Sequence, residues 1–282
     1  MPRPLTADRR PSRRAALAAI VAAPFGFARL ASAEPRTVTA KRVAASGLKT
    51  AAGPMQAAID AAARGERAAA ALASYRTTLL KKEWIGGEVF ESELRMKVRH
   101  NPFAVYLKYV EPHAGRQVLY RDGANAGQML VRQTGLASLF GTMSVQPRSS
   151  LALKENRHPI TSAGMQNLAA NVATLWRDAA RAEREPTVRR YPNARFAGYE
   201  CEAFEVSHAG PGQHAAFAKS RLFLDLSTGL PVRLQRFDFD LAAARPAAAS
   251  RLVEDYAYVE LDLRTKLTAR DFDPANPAYG FE

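Results

Sequence analysis

The sequence predicts an α+β, mainly β fold: an antiparallel sheet of sequential neighbours accompanied by about two helices. Three observations predict it. Apolar and polar residues alternate with period two from Ser74 and again from Thr187, each time in several short runs bounded by turn-forming residues. One stretch, Met165 to Arg184, interrupts that spacing with apolar residues every three or four positions. The chain has 282 residues, 47% of them hydrophobic, enough to bury one substantial core, so a single domain over 55–282 is expected.

Residues 34–54 are a polar lead ending in Gly53-Pro54, expected to be a flexible arm. Met55 to Leu72 is Ala-rich with apolar Met55, Ile59 and Leu72, a helix weakened at Gly65. Ser74 to Trp84 and Glu88 to His100 then flank a Gly86-Gly87 turn and read as a long hairpin. Its second strand places Phe90, Leu94, Met96 and Val98 on one face and Glu91, Glu93, Arg95, Lys97 and Arg99 on the other. Further strands follow at Val105 to Val110, Arg116 to Arg121 and Gln128 to Gln133. In the helix from Met165, the stripe Met165-Leu168-Val172-Trp176 faces inward, Thr161 or Ser162 can cap the start, and Pro186 lies beyond the end. The chain returns to strands at Thr187 to Tyr191, Gly198 to Ser207, Ser220 to Asp225, Pro231 to Asp240 and Ser250 to Leu261, ten in all. Leu226 to Leu230 makes a hairpin turn, and 242–249 is an exposed loop.

The first 33 residues read as a signal peptide. Arg9, Arg10, Arg13 and Arg14 precede an Ala-rich run, and Ala31-Ser32-Ala33 offers small residues for cleavage after Ala33. Ser12 to Leu17 resembles a twin-arginine signal, and a Sec signal with paired arginines fits the same residues. Either route delivers a periplasmic protein. No cysteine lies near Ala33 to carry a lipid, so the mature protein is expected to be soluble.

The formal charge is +13, of which residues 1–33 hold a net +5 through six arginines and Asp8, leaving +8 on the mature chain. Outside the cytoplasm that surplus suits an anionic membrane surface better than nucleic acid, for which no binding motif is present. The one cysteine, Cys201, excludes an internal disulfide and reads as a small buried hydrophobe.

No nucleophile motif and no zinc spacing occurs, so neither catalytic residues nor a metal or cofactor is expected. His208 and His214 share a loop without an adjacent carboxylate in sequence, the pattern of a solvated loop rather than of metal ligands. Arg157 and His158 precede the predicted helix and admit two readings: an anionic head-group contact, or loop anchors that tie the segment to the sheet.

The segment Asn156-Arg157-His158-Pro159-Ile160-Thr161 resembles a motif of a bacterial secreted family, domain of unknown function 1571. The resemblance continues through Phe196 to Tyr199, Leu222 to Asp225, Thr228 to Val232, Tyr256 to Tyr258, Asp271 to Asp273 and Asn276 to Tyr279. That family is similar in layout to periplasmic lipoprotein carriers of the LolA and LolB type, which implies an incomplete antiparallel β-barrel covered by helices. The resemblance further implies a non-enzymatic, monomeric carrier or chaperone that holds a lipid, or the acyl chain of a lipoprotein, in the concave face. The apolar wall is then expected from Leu94, Met96 and Val98, with Tyr106, Leu119 and Met129 as companions and Leu168 and Trp176 from the helix. The alternative is an envelope sensor or scaffold that binds a protein partner.

Overall fold

Alternation from Ser74 produces β1 (Ser74–Ile85) and β2 (Glu88–Arg99), joined by Gly86 and Gly87 at φ 60° and 94°, conformations that glycine adopts without steric cost. The computed structural model describes residues 53–239 and 250–281. The signal peptide expected at 1–33, nearly all of the lead and the loop expected at 242–249 lie outside those residues.

From β2 the chain meanders through β3 (Ala104–Glu111), β4 (Gln117–Arg121), β5 (Met129–Arg132) and β6 (Thr142–Val145). A second meander comprises β7 (Thr187–Phe196), β8 (Tyr199–Ser207), β9 (Lys219–Asp225), β10 (Pro231–Phe239) and β11 (Ser250–Asp262). Both join one antiparallel sheet of order β6-β5-β4-β3-β2-β1-β11-β10-β9-β8-β7. The first strand therefore sits mid-sheet against the last, and β6 and β7 remain unjoined edges. The result, among the described residues, is an open, incomplete barrel of eleven strands rather than ten. The extra strand, β6, is four residues long and too short to display a period.

Among the described residues three α-helices accompany the sheet: α1 (Pro54–Ala70), α2 (Ser150–Leu153) and α3 (Met165–Ala179). The long pair, α1 and α3, pack on each other and on the β7–β10 half. α1 runs unbroken through Gly65. Gly65 is where the helix meets the sheet, since a Cβ there would lie 2.7 Å from Leu224 Cδ2. The start of α3 also differs from expectation: its N-cap is Gly164, at φ 96°, and Thr161 and Ser162 belong to a preceding 3₁₀ turn. Gly164 lies against Tyr75 and Val98, and the Met165 N–H donates to the Tyr75 hydroxyl at 2.9 Å.

The opposite, convex face carries two smaller apolar clusters. One unites Ala104, Tyr106 and Leu119 with Phe272 and Phe281 of the C-terminal segment. The other contains Ala194, Cys201, Ala203, Phe223 and Val232. Burial pushes the Cys201 thiol up to about 11, and Asp225 adds to the effect, so it packs as an inert hydrophobe.

Candidate functional site

Antiparallel register determines which side chains share the concave face. Across β2, β3, β4 and β5 it aligns Met96, Leu107, Val118 and Val131, and between β1 and β2 it pairs Leu79 with Leu94. Beside the N-terminal half of α3 this face encloses a cavity of about 370 Å³. Its apolar part is bounded by Leu79, Leu94, Met96, Val118, Met129 and Leu168, and the segment from Pro147 to Gly164 forms the cover.

The other end is polar. Inward positions of β1 continue from Leu79 to Lys81 and Glu83, and the ladder places Glu83 opposite Glu254, itself opposite Arg236. Two buried carboxylates facing each other repel unless cations compensate. Lys81 Nζ lies 2.9 Å from Glu83 and also donates to Asn156 Oδ1 at 2.6 Å and to the Glu155 carbonyl at 3.1 Å. Tyr256 donates its hydroxyl to Glu83, and Arg236 bonds Glu254 at 3.0 Å while a second guanidinium nitrogen donates to Asn171. Arg157 Nε and His158 Nε2 reach the remaining Glu254 oxygen at 3.0 and 3.1 Å.

Burial pushes the Glu254 carboxyl up, but the His158 hydrogen bond and the charges of Arg236, His158 and Arg157 outweigh it and hold the group down at about 2. Tyr256 is displaced the other way, strongly raised by burial and by Glu254 and Glu83. A carboxylate that acidic is a weak base, and a phenol that basic is a weak acid, so neither suits proton transfer near neutrality. The arrangement is suited to binding: a greasy recess ending in a hydrogen-bonding wall of paired charges.

Of the residues expected in the apolar wall, Leu94, Met96, Met129 and Leu168 border the cavity. Val98 shares their face but lies beneath Gly164, outside the hollow. Trp176 is fully buried two turns beyond Leu168, its indole N–H donating to Ser220 Oγ at 2.6 Å. Tyr106 and Leu119 point the wrong way. They pair in register with each other on the convex face, and Tyr106 stacks on Tyr279. The inward companions are their neighbours Leu107 and Val118.

Arg157 and His158 do not stand at the start of α3, whose N-cap is six residues after His158. Arg157 binds Glu254 and the Trp84 carbonyl, the latter at 2.7 Å, and so ties the loop to the sheet. His158 does the same through Glu254 while also bordering the cavity. His214 does have a carboxylate neighbour, with Nδ1 3.0 Å from Asp178 of α3. Among the described residues no cluster of three metal-ligating side chains occurs. Sequence reasoning missed Lys81, Glu83, Arg236, Glu254 and Tyr256. The available signal was parity, since Lys81 and Glu83 continue the inward series of Tyr75, Thr77 and Leu79.

The family described as "Protein of unknown function (DUF1571)" matches residues 72–281. No curated protein matches the chain. Among solved structures, lipoprotein LppX of Mycobacterium tuberculosis aligns at 9% identity and a TM-score of 0.43, over 76% of this chain and 99% of that one. A LolA superfamily protein of Nitrosomonas europaea aligns at 13% identity and 0.32, over 77% and 97%. A chain of the MucA/MucB complex of Pseudomonas aeruginosa aligns at 16% identity and 0.40, over 77% of this chain and 60% of that one.

Proposed function

The chain belongs to the DUF1571 family, and on that premise we propose that it is an exported carrier which holds a single-chain amphiphile, with the apolar chain in the recess and an uncharged polar head at the Lys81–Glu83–Arg236–Tyr256 end. The observation that carries this reading is the two-ended lining of the 370 Å³ cavity. That volume falls within the roughly 300–1,000 Å³ of small-ligand sites.

Ten buried methylenes contribute about 8 kcal/mol, and association costs about 4 kcal/mol or more, so the chain alone gives modest affinity. Hydrogen bonds from the polar end supply the remainder. The lysine and arginine that border the hollow already hold carboxylate partners, Lys81 with Glu83 and Arg236 with Glu254. A hydroxyl or amide head adds no charge to these pairs, and the buried Arg236 Nε–H, which has no hydrogen-bond partner among the described residues, is a donor for its oxygen. The pattern of residues 1–33 supports delivery to the periplasm, where such a ligand would be lifted from a membrane or taken from a lipoprotein.

The test is uptake of a fluorescent monoacylglycerol against a fatty acid of equal length. The neutral ligand is expected to bind more tightly, and Val118→Phe, which fills the recess, to weaken it by about tenfold or more at unchanged fold. Equal uptake by wild type and Val118→Phe would remove the cavity as the binding site and favour a protein-binding scaffold. Mass spectrometry of organic extracts from natively purified protein identifies the ligand without presupposing it.

A further inference from the structure

The hollow beneath the cover has two unlike ends. Its lining comes from seven neighbouring strands, from Leu234 and Arg236 on β10 round to Met129 on β5, so its long axis crosses the strands in steps of about 4.8 Å. At the polar end two exposed lining residues, His158 and Asn171, bond the two members of the buried Glu254–Arg236 pair, and this end opens to solvent. At the β5 end the bordering residues Val118, Met129, Pro147 and Ala152 are all buried, and the recess is blind.

We propose that the hollow measures acyl chains: it accepts one chain whose head oxygen meets the Arg236 Nε–H and whose terminal methyl reaches Met129 and Ala152, and it discriminates against longer ones. The inference rests on the carrier reading above and adds the length limit to it. A channel open at both ends would let surplus methylenes run through to the far side. A recess closed at one end, with its polar contact at the other, does not. Packed interiors resist extra atoms, so a chain too long for the recess must kink or lift its head away from Arg236.

Both ends are fixed to one frame, as a length limit requires. Ser149 Oγ accepts from the Ala152 N–H at 3.3 Å, and the Ala152 carbonyl accepts from Asn156 Nδ2 at 2.9 Å. Asn156 Oδ1 in turn accepts from Lys81 Nζ at 2.6 Å, and Lys81 pairs with Glu83 at the polar end. Val145 faces Met129 across the β5–β6 ladder, so Pro147, two residues on, closes the same end of the hollow. Ala152 brings only a methyl group to the recess, and a larger side chain there would take the space of chain carbons.

Displacement of a fluorescent monoacylglycerol by a homologous series of unlabelled saturated monoacylglycerols, from short chains to long, is the experiment. For wild type, affinity is expected to rise about fourfold with each added methylene until the recess is full, and then to stop rising or fall. Ala152→Leu should move that break to chains about three carbons shorter and Met129→Ala should move it to longer ones, while the shortest member binds both variants as it binds wild type. A series without a break, or a break that neither variant moves, overturns the proposal. So does a loss that is equal at all lengths in both variants, which would mean that these residues only hold the fold. If no member of the series displaces the probe, or if Val118→Phe takes up the probe as wild type does, the cavity reading itself fails and the length limit with it.

Discussion

The strands β2 to β5 are covered on both faces, and the two covers differ. On the convex side the C-terminal segment closes tightly: Tyr279 stacks on Tyr106 with ring centroids 4.1 Å apart, Lys97 bonds both Asp271 and Tyr279 at 2.9 Å, and Arg99 lies over Phe272. On the concave side the cover spans the wall without filling the space beneath it, and 370 Å³ remains. Burial alone does not distinguish a core from a site, since Leu119 and Met96 are equally inaccessible at 2% and 1%. What distinguishes them is space together with buried charge. Under the C-terminal segment, Lys97 and Asp271 form a partly exposed ion pair that acts as a clasp, while the wall of the hollow keeps Glu83 and Glu254 almost wholly from water. Ion pairs so buried stabilise little relative to apolar packing, which makes their presence beside a hollow more readily explained by recognition than by stability.

The largest effect is expected at that row. Glu254→Ala leaves Arg236 buried without its carboxylate and releases Arg157 and His158, which should cost about 3–5 kcal/mol in urea unfolding. Asp271→Ala on the convex side, where the lost partner Lys97 retains some solvent contact, should cost about 1–2 kcal/mol including its part in the capping box with Thr268. Equal costs would mean that the two faces are the same kind of structure.

A smaller effect follows from acidity. Glu254 titrates at about 2 in the folded protein against 4.5 as its ordinary value, so between those values the unfolded chain binds the extra proton. Its contribution, roughly 3 kcal/mol, is complete above about pH 4.5 and lost as pH falls towards 2. Unfolding free energies of wild type and Glu254→Gln, measured across that window, should converge at the acid end. Parallel curves would show that the row does not hold the carboxylate ionised.

Much of the architecture was legible because local patterns carried it. Paired glycines fixed the β1–β2 hairpin, whose ladder runs from Ser74↔Arg99 to Ile85↔Glu88. The Asp225 to Leu230 turn was legible too, with Asp225 accepting from Ser227 and Thr228. Pairing of β1 with β11 was not, since no local signal links residues so far apart in sequence. The inward phase of β3 and β4 was hidden for a different reason. Val105 and Tyr106, like Val118 and Leu119, are all buried, because the C-terminal segment covers the face that alternation normally leaves polar. The polar end escaped notice because a lysine and two glutamates read as solvent-facing unless the register that unites them is known.

Adjacent residues on opposite faces give the finest test of the comparison. Val118 borders the hollow, whereas Leu119 packs on Phe272 and Phe281 in the sealed convex cluster. Enlarging a side chain in a filled space forces neighbours off their rotamers, typically for about 1–3 kcal/mol, whereas enlarging one beside a void meets no such resistance. Leu119→Phe should therefore destabilise by about 1–3 kcal/mol and leave ligand uptake alone, and Val118→Phe should change stability by less than about 1 kcal/mol while blocking uptake. Thermal or urea denaturation measures the first quantity and the fluorescent monoacylglycerol the second. If Val118→Phe costs as much as Leu119→Phe, the concave face is packed as tightly as the convex one, and the hollow is not available to a ligand.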